Sequence, residues 1–296
     1  MKISSLTLCG VSIAAIMAAS PNALAMDGDD KVFNRIASFP VSLNIPDDTD
    51  INSESSSEII DVSEDGMKLV YSDSPLGGIG IIDISTPEAP AAAGFIKTNG
   101  EPTSVAVQND HALVAITTSE SYVSPSGALL SINLSSGEIV GSCNLGGQPD
   151  SVDISPDGSL IAVAIENERD EDLNDGIIPQ MPAGSVLTYQ LDAGMIDCDS
   201  QITANMTGLA EIAPSDPEPE FVTINGANEV AVTLQENNHV VVFNGETGDT
   251  ISNVSVGMVD LENVDTAEER ALTFDDTLTG VKREPDAIKW LDKDRL

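Results

Sequence analysis

Positive charge is what this 296-residue chain has least of: 12 lysines and arginines stand against 49 aspartates and glutamates, a formal charge of -37. Nucleic acid and anionic membrane surfaces both need a basic footprint, so neither is an expected partner. Histidine is nearly as scarce, with only His111 and His239. Each follows Asn-Asp or Asn-Asn and reads as a turn residue, and no G-x-S-x-G elbow accompanies them, so a nucleophilic triad finds no support. The three cysteines form no C-x-x-C pair and have no neighbouring histidine, which argues against a zinc site. After residue 25 no segment approaches the roughly 18 apolar residues of a membrane span. A Walker lysine is missing too, so Gly77-Gly78 in "PLGGIGIID" opens a strand and does not cradle a phosphate.

What the chain does have begins with "MKISSLTLCGVSIAAIMAASPNALA". Lys2, the apolar run to Met17 and the small-residue site ending at Ala25 read as a signal peptide over residues 1–25, cleaved near Ala25. The expected address is secreted or periplasmic. Cys9 leaves with the signal, and the oxidising compartment permits a disulfide between the remaining pair, Cys143 and Cys198, if their geometry allows it. The strong negative charge points to a saline habitat or abundant divalent cations, although most of these carboxylates read as a solvated surface.

One phrase recurs along the chain: "EPTSVAVQNDHALVAITT" from Glu101, "QPDSVDISPDGSLIAVAIE" from Gln148, "EPEFVTINGANEVAVTLQE" from Glu218 and "EPDAIKWLDKDRL" from Glu284. A degenerate copy begins at Ser57. The starts lie 47, 70 and 66 residues apart, so the unit is constant while its loops vary. Each copy reads as strand, tight turn, strand, with Asn109-Asp110 and Ser155-Pro156-Asp157-Gly158 at the turns. Two further β-rich runs complete each unit, as in "GALLSINL" and "EIVGSCNL" around Ser135-Ser136-Gly137.

Four-stranded units at this spacing predict an all-β chain, a β-propeller of antiparallel blades. A β-sandwich also has short strands between turns, but it has no reason to repeat one E/Q-P junction. The expected organisation is an acidic arm with a leading strand over 26–55, then a partial propeller over 56–296. No long helix is needed, and Asn263–Asp276 reads as an insertion with a helical turn or two. About four blades precede the final phrase, which reads as the start of another, so the ring is expected to be incomplete in this chain.

The runs "GIGIIDISTPEAPAAAGFI", "QPDSVDISPDGSLIAVAIENERDED" with "PAGSVLTYQL", and "NVDTAEERALTFDDTLTGVKREPDAIKWLD" resemble those of the choice-of-anchor I family. Its members are secreted β-propellers similar to mesenchyme-specific cell-surface glycoprotein and often labelled alkaline phosphatase-like. The resemblance runs from about Ile59 onward and implies the propeller fold. It also implies that the closing phrase would continue into further blades, so this chain looks C-terminally truncated.

In a four-stranded meander, alternate loops fall on one rim. That places Glu101, Glu218 and Glu284 beside "ENERDEDLND", Glu166 to Asp175. Oxygen ligands gathered on one rim are what Ca²⁺ requires, and Glu166, Glu168, Asp170, Asp172 and Asp175 are the candidate ligands, although no EF-hand spacing orders them. The junction glutamates have a structural alternative: fixing the crossing between blades by accepting backbone N–H bonds. Arg169, Lys282 and Arg283 are the few cations that could meet a phosphate ester. Two functions are therefore expected to compete. One is a calcium-stabilised binding or scaffold module for an unidentified ligand or surface protein; the other is a calcium-dependent phosphoric-ester hydrolase.

Overall fold

An unbroken apolar strand such as "LIAVAI" fits a sheet covered on both faces. The computed structural model, which describes residues 33–170, 172–267 and 271–296, shows how this happens. Each repeat is an antiparallel meander whose strands lie in chain order. The first sheet holds β1 (Ile60–Val62), β2 (Lys68–Asp73), β3 (Gly78–Asp83) and β4 (Ala91–Lys97). The second holds β5 (Glu101–Gln108), β6 (His111–Thr117), β7 (Gly127–Asn133) and β8 (Ile139–Asn144). The third holds β9 (Pro149–Ile154), β10 (Leu160–Ile165), β11 (Ser185–Asp192) and β12 (Met195–Asn205). The fourth holds β13 (Pro219–Ile224), β14 (Glu229–Leu234), β15 (His239–Asn244) and β16 (Thr250–Ser255). A two-stranded ribbon follows, β17 (Met258–Val264) with β18 (Asp276–Lys282).

These sheets stand face to face as the blades of an open propeller, with one apolar layer between each neighbouring pair. Side chains alternate along a strand, so one strand feeds two layers. Ala112, Val114 and Ile116 of β6 pack towards the first sheet, while Leu113 and Ala115 pack towards the third. In β10, Ile161, Val163 and Ile165 face the second sheet, and Leu160, Ala162 and Ala164 face the fourth. That double burial is why both strands read as continuous apolar runs.

The first strands of successive sheets lie side by side and are stapled by side chains. Asp61 accepts the Val107 N–H at 2.7 Å, Ser104 accepts that of Val152 at 3.2 Å, and Asp153 accepts that of Ile224 at 2.8 Å. Ser151 Oγ accepts the Val222 N–H at 2.9 Å and donates to the Glu220 carbonyl at 2.6 Å. Because Ser151 is buried, Ser151→Ala strands one donor and one acceptor. It should lower the unfolding free energy by about 1–3 kcal/mol in urea titrations; a change below about 0.5 kcal/mol would show that the staple contributes nothing.

The junction proline also has a packing partner. Gly127 opens β7 and Gly184 precedes β11; a Cβ at either would collide with the ring of Pro149 or Pro219 at the head of the next sheet. The glycines of "PSGAL" and "PAGSV" are thus required by close approach of one blade to the next.

Several details differ from the sequence expectation. The signal peptide expected over residues 1–25 lies outside the described residues. Where a leading strand is expected, residues 36–55 instead hold one 3-10 turn, Val41–Asn44. Pro40 and Pro46 flank it, and Asn44 is buried, donating to Tyr71 Oη at 3.2 Å and to the Ile81 carbonyl at 3.0 Å. The segment covers the first sheet instead of extending it. The ends of the insertion expected at Asn263–Asp276 belong to the ribbon, because β-favouring residues on both sides pair, with Val259 opposite Val281 and Leu261 opposite Leu278; its centre, residues 268–270, lies outside the described residues. Both histidines begin strands instead of occupying turns. The turn residues are Asn109 and Asn238, at φ of 51° and 54°, and His239 is buried with Nε2 3.0 Å from Asn253 Oδ1. The final phrase runs beside β13, with Trp290 Nε1 donating to the Thr223 carbonyl at 3.2 Å and Asn225 Nδ2 to the Lys293 carbonyl at 3.0 Å.

Candidate functional site

The junctions before the first strands and the loops after the second strands open onto one end of the propeller, as the meander requires. Two clefts lie there, each of about 470 Å³, with Glu166 and Glu168 forming the wall between them. Glu58, Glu101, Thr103 and Asp150 line the first cleft with that wall. The second adds Arg169, Glu218, Glu220 and Glu236. Arg169 is the only cation among the described residues that line either cleft.

The period of a strand explains how this mouth is built. Residues i and i+2 share a face, so the residue after each junction proline joins the residue before it. Glu101 and Thr103 line the first cleft together, as do Gln148 and Asp150, while Glu218 and Glu220 line the second. Reading the repeat for its glutamates finds the first member of each pair and misses the second: Asp150, Glu220 and, in the last phrase, Asp286. The signal was the E-P-x alternation itself.

Crowding and partial burial leave several of these groups holding protons near neutrality. Asp150 is pushed up to about 7 by loss of solvent, then by the charges of Asp286 and Glu168. Burial foremost raises both Glu166 and Glu220; the charges of Glu220 and Asp150 add to it at Glu166, and those of Asp150 and Asp286 at Glu220, where a hydrogen bond from Glu166 opposes the shift. Burial also pushes Glu218 up to about 7, even though Arg169 opposes the shift.

Arg169 turns back over the second cleft and fastens its loop there. Its Nε is 2.9 Å from Asp216 Oδ2, Nη2 donates to the Asp216 carbonyl at 2.6 Å, and Nη1 is 2.5 Å from Glu218 Oε2. Its own N–H donates to Glu218 Oε1 at 2.9 Å. Glu218 therefore accepts a backbone N–H from the preceding sheet's loop and joins two blades. Glu284 does otherwise: it pairs with Lys282 at 2.5 Å and lines neither cleft.

Of the five residues expected to hold calcium, only Glu166 and Glu168 reach the mouth. Asp170 Oδ1 accepts the Asp172 N–H, and the Asp170 backbone is held by the Gln180 side chain at 2.9 Å through both its N–H and its carbonyl. Asp172 and Asp175 are exposed outside the clefts. Among the described residues no three acidic, histidine or cysteine side chains are grouped so as to hold a metal ion as they stand. Neither histidine lines a cleft, so the serines and threonines there have no imidazole base. At the far edge of the blades, Cys143 of β8 and Cys198 of β12 form a disulfide with Cα atoms 5.5 Å apart.

A family model described as the choice-of-anchor I domain matches residues 58–294. No curated protein sequence matches the chain. Similar solved structures include hydrazine synthase of Kuenenia stuttgartiensis, 16% identical with a TM-score of 0.46 over 63% of this chain and 52% of that one. A functionally unknown protein from Desulfotomaculum acetoxidans is 12% identical, TM-score 0.48, over 71% and 60%. The Swd1 β-propeller domain of Myceliophteria thermophila is 11% identical, TM-score 0.47, over 69% and 58%. The matched region thus spans between about half and three-fifths of each of these chains.

Proposed function

Since the chain belongs to the choice-of-anchor I family, we propose that it is a secreted or cell-surface binding module whose acidic mouth takes a positively charged group, with calcium the simplest such group. The observation that carries this reading is the convergence of Asp150, Glu166, Glu168, Glu218 and Glu220 around two clefts in which Arg169 is the only described cation. Carboxyls that retain protons because they are buried, and pressed further by one another's charge, exchange those protons for a bound cation. Glu166 and Glu168, shared by both clefts, are the donors placed to serve it.

The direction of the pH effect follows from linkage. Asp150, Glu166, Glu218 and Glu220 all have folded values above the ordinary carboxylate range. The native state therefore binds more protons than the unfolded chain, and stability falls as pH rises. The stabilisation is complete below about pH 4 and is lost as pH climbs through about 7, where Asp150 and Glu218 titrate. In thermal unfolding of the full chain without divalent ions, the Tm should fall by several degrees between pH 5 and pH 8. Millimolar calcium should restore it at pH 8 and do little at pH 5; Asp150→Asn should flatten the pH response, and Glu166→Gln the response to calcium. A Tm at pH 8 that ignores calcium would reject a calcium site. Turnover of a phosphomonoester by the calcium-loaded chain, abolished by Glu166→Gln, would replace this reading with that of a phosphoric-ester hydrolase.

A further inference from the structure

The mouth is not acidic throughout. Beside Glu168, the loop after β6 and the loop after β10 enclose a notch of about 170 Å³ lined by Tyr122, Val123, Leu173, Ile177, Met181 and Pro182. These apolar groups are open to water: Val123 is 58% exposed, Ile177 66% and Met181 63%. Exposed apolar side chains also occur on the sheets, such as Ile60, Val254 and Ile251, but these line no cleft of the acidic mouth. Glu168 lines the notch and both clefts, and Tyr122 lines both the notch and the first cleft. The Tyr122 phenol is pushed up by the negative charge of Glu168 foremost, with Asp170 and Glu166 adding to it.

We infer that this notch and the adjoining clefts form one docking surface for a basic, apolar stretch of a partner protein, with an aliphatic side chain in the notch and arginine or lysine side chains beside it against Glu166 and Glu168. The inference rests on the mouth being a cation-binding site and names the class of ligand it takes. Charge complementarity selects this occupant. An anionic lipid surface would face the carboxylates of the mouth and a chain of net charge -37. A bare metal ion leaves the apolar notch without a role, and a wholly apolar ligand leaves the carboxylates without one. The notch has room for a single side chain and lies between two loops on the rim, which suits an extended segment laid across the mouth.

The test uses the full chain and three fluorescent decapeptides in one serine-glycine frame, carrying Arg-Leu-Arg, Arg-Ser-Arg or Glu-Leu-Glu, read by anisotropy at pH 8. The Arg-Leu-Arg peptide should bind about tenfold more tightly than Arg-Ser-Arg, the size of effect that burying one aliphatic side chain brings. Glu-Leu-Glu should not bind. Met181→Ser should lower the Arg-Leu-Arg affinity towards that of Arg-Ser-Arg, and Glu168→Gln should weaken both arginine peptides. Ile251→Ser, a change at another exposed apolar side chain, on β16 in the fourth sheet, controls for general loss of apolar surface and should alter nothing. Equal binding of the two arginine peptides overturns the notch while leaving the cation-binding mouth intact. Failure of both peptides where calcium still raises the Tm overturns the protein-segment ligand alone, and failure of peptides and calcium together overturns the mouth as well.

Discussion

Arg169→Met is expected to remove about 3–5 kcal/mol of stability at pH 8, the cost of leaving buried charge without its partner. The side chains of Asp216 and Glu218 are only 1% and 2% exposed, and Arg169 is 14% exposed between them. The guanidinium meets each carboxylate and also caps the Asp216 carbonyl. Methionine has similar bulk but returns none of these donors, so two carboxylates face each other in a site that excludes water. Exposed pairs give the contrast. Arg295 with Asp292 is largely solvated, and such pairs contribute about 0–1 kcal/mol. The loss should be smaller at pH 5, because Glu218 already titrates near 7 with the arginine present and becomes neutral more readily without it. Urea titrations of the parent, Arg169→Met and Arg169→Met with Glu218→Gln at both pH values decide the matter. The double variant should recover part of the loss at pH 8. A loss under about 1 kcal/mol, or one independent of pH, would mean that the loop is held by other contacts.

Cys198→Ala should cost about 4 kcal/mol, the chain-entropy value for a disulfide closing 55 residues. The bond joins the outermost strands of the second and third sheets, where little packing remains: most of β12 is exposed, and in β8 only Cys143 is fully buried. The covalent link therefore holds two blades at a radius where the apolar layer between them has thinned. Cys198 is the better residue to replace, since Cys143 lies in that layer and keeps its place as a small apolar thiol. The expected result is a Tm lowered by roughly 8–16 °C, taking 2–4 °C per kcal/mol for a chain of this size. Reduction of the parent protein should reproduce the same shift. A fall of a degree or two under either treatment would show that the interblade layer alone fixes the sheets.

How far the sequence could be read depended on the range of the forces involved. The blades were legible because a hairpin is local: two-residue turns, alternating side chains and a proline junction all act within a few residues. The apolar β6 and β10 could be recognised as strands, and their double burial explains the absence of polar alternation. The mouth was half legible. Glu101, Glu218, Glu166 and Glu168 were found from the expectation that alternate loops share a rim, and the i, i+2 rule would have added Asp150 and Glu220. Asp170, Asp172 and Asp175 were misplaced because the path of their loop is set by distant partners, Arg169 reaching Asp216 and Gln180 gripping the Asp170 backbone. No local pattern encodes a bond across 47 residues. The two ends of the Asn263–Asp276 insertion were not recognised as strand residues because the partner that pairs with each lies across the insertion, beyond the reach of a local pattern.

The three apolar layers are separate from one another, and each is shared by only two sheets. Cooperativity in such a molecule runs along a line, each blade sensing its neighbours and no others. A cavity opened between the first and second sheets costs the blades on either side of it but leaves the contact between the third and fourth unchanged. Among the four sheets, the pair that carry β6 and β10 are those packed through an apolar layer on both faces. Those same sheets supply Glu101, Asp150, Glu166 and Glu168 and hold the covalent link at their rim. The first cleft thus rests mainly on those two sheets, whereas the second also draws Glu218, Glu220 and Glu236 from the fourth and follows that blade when it moves.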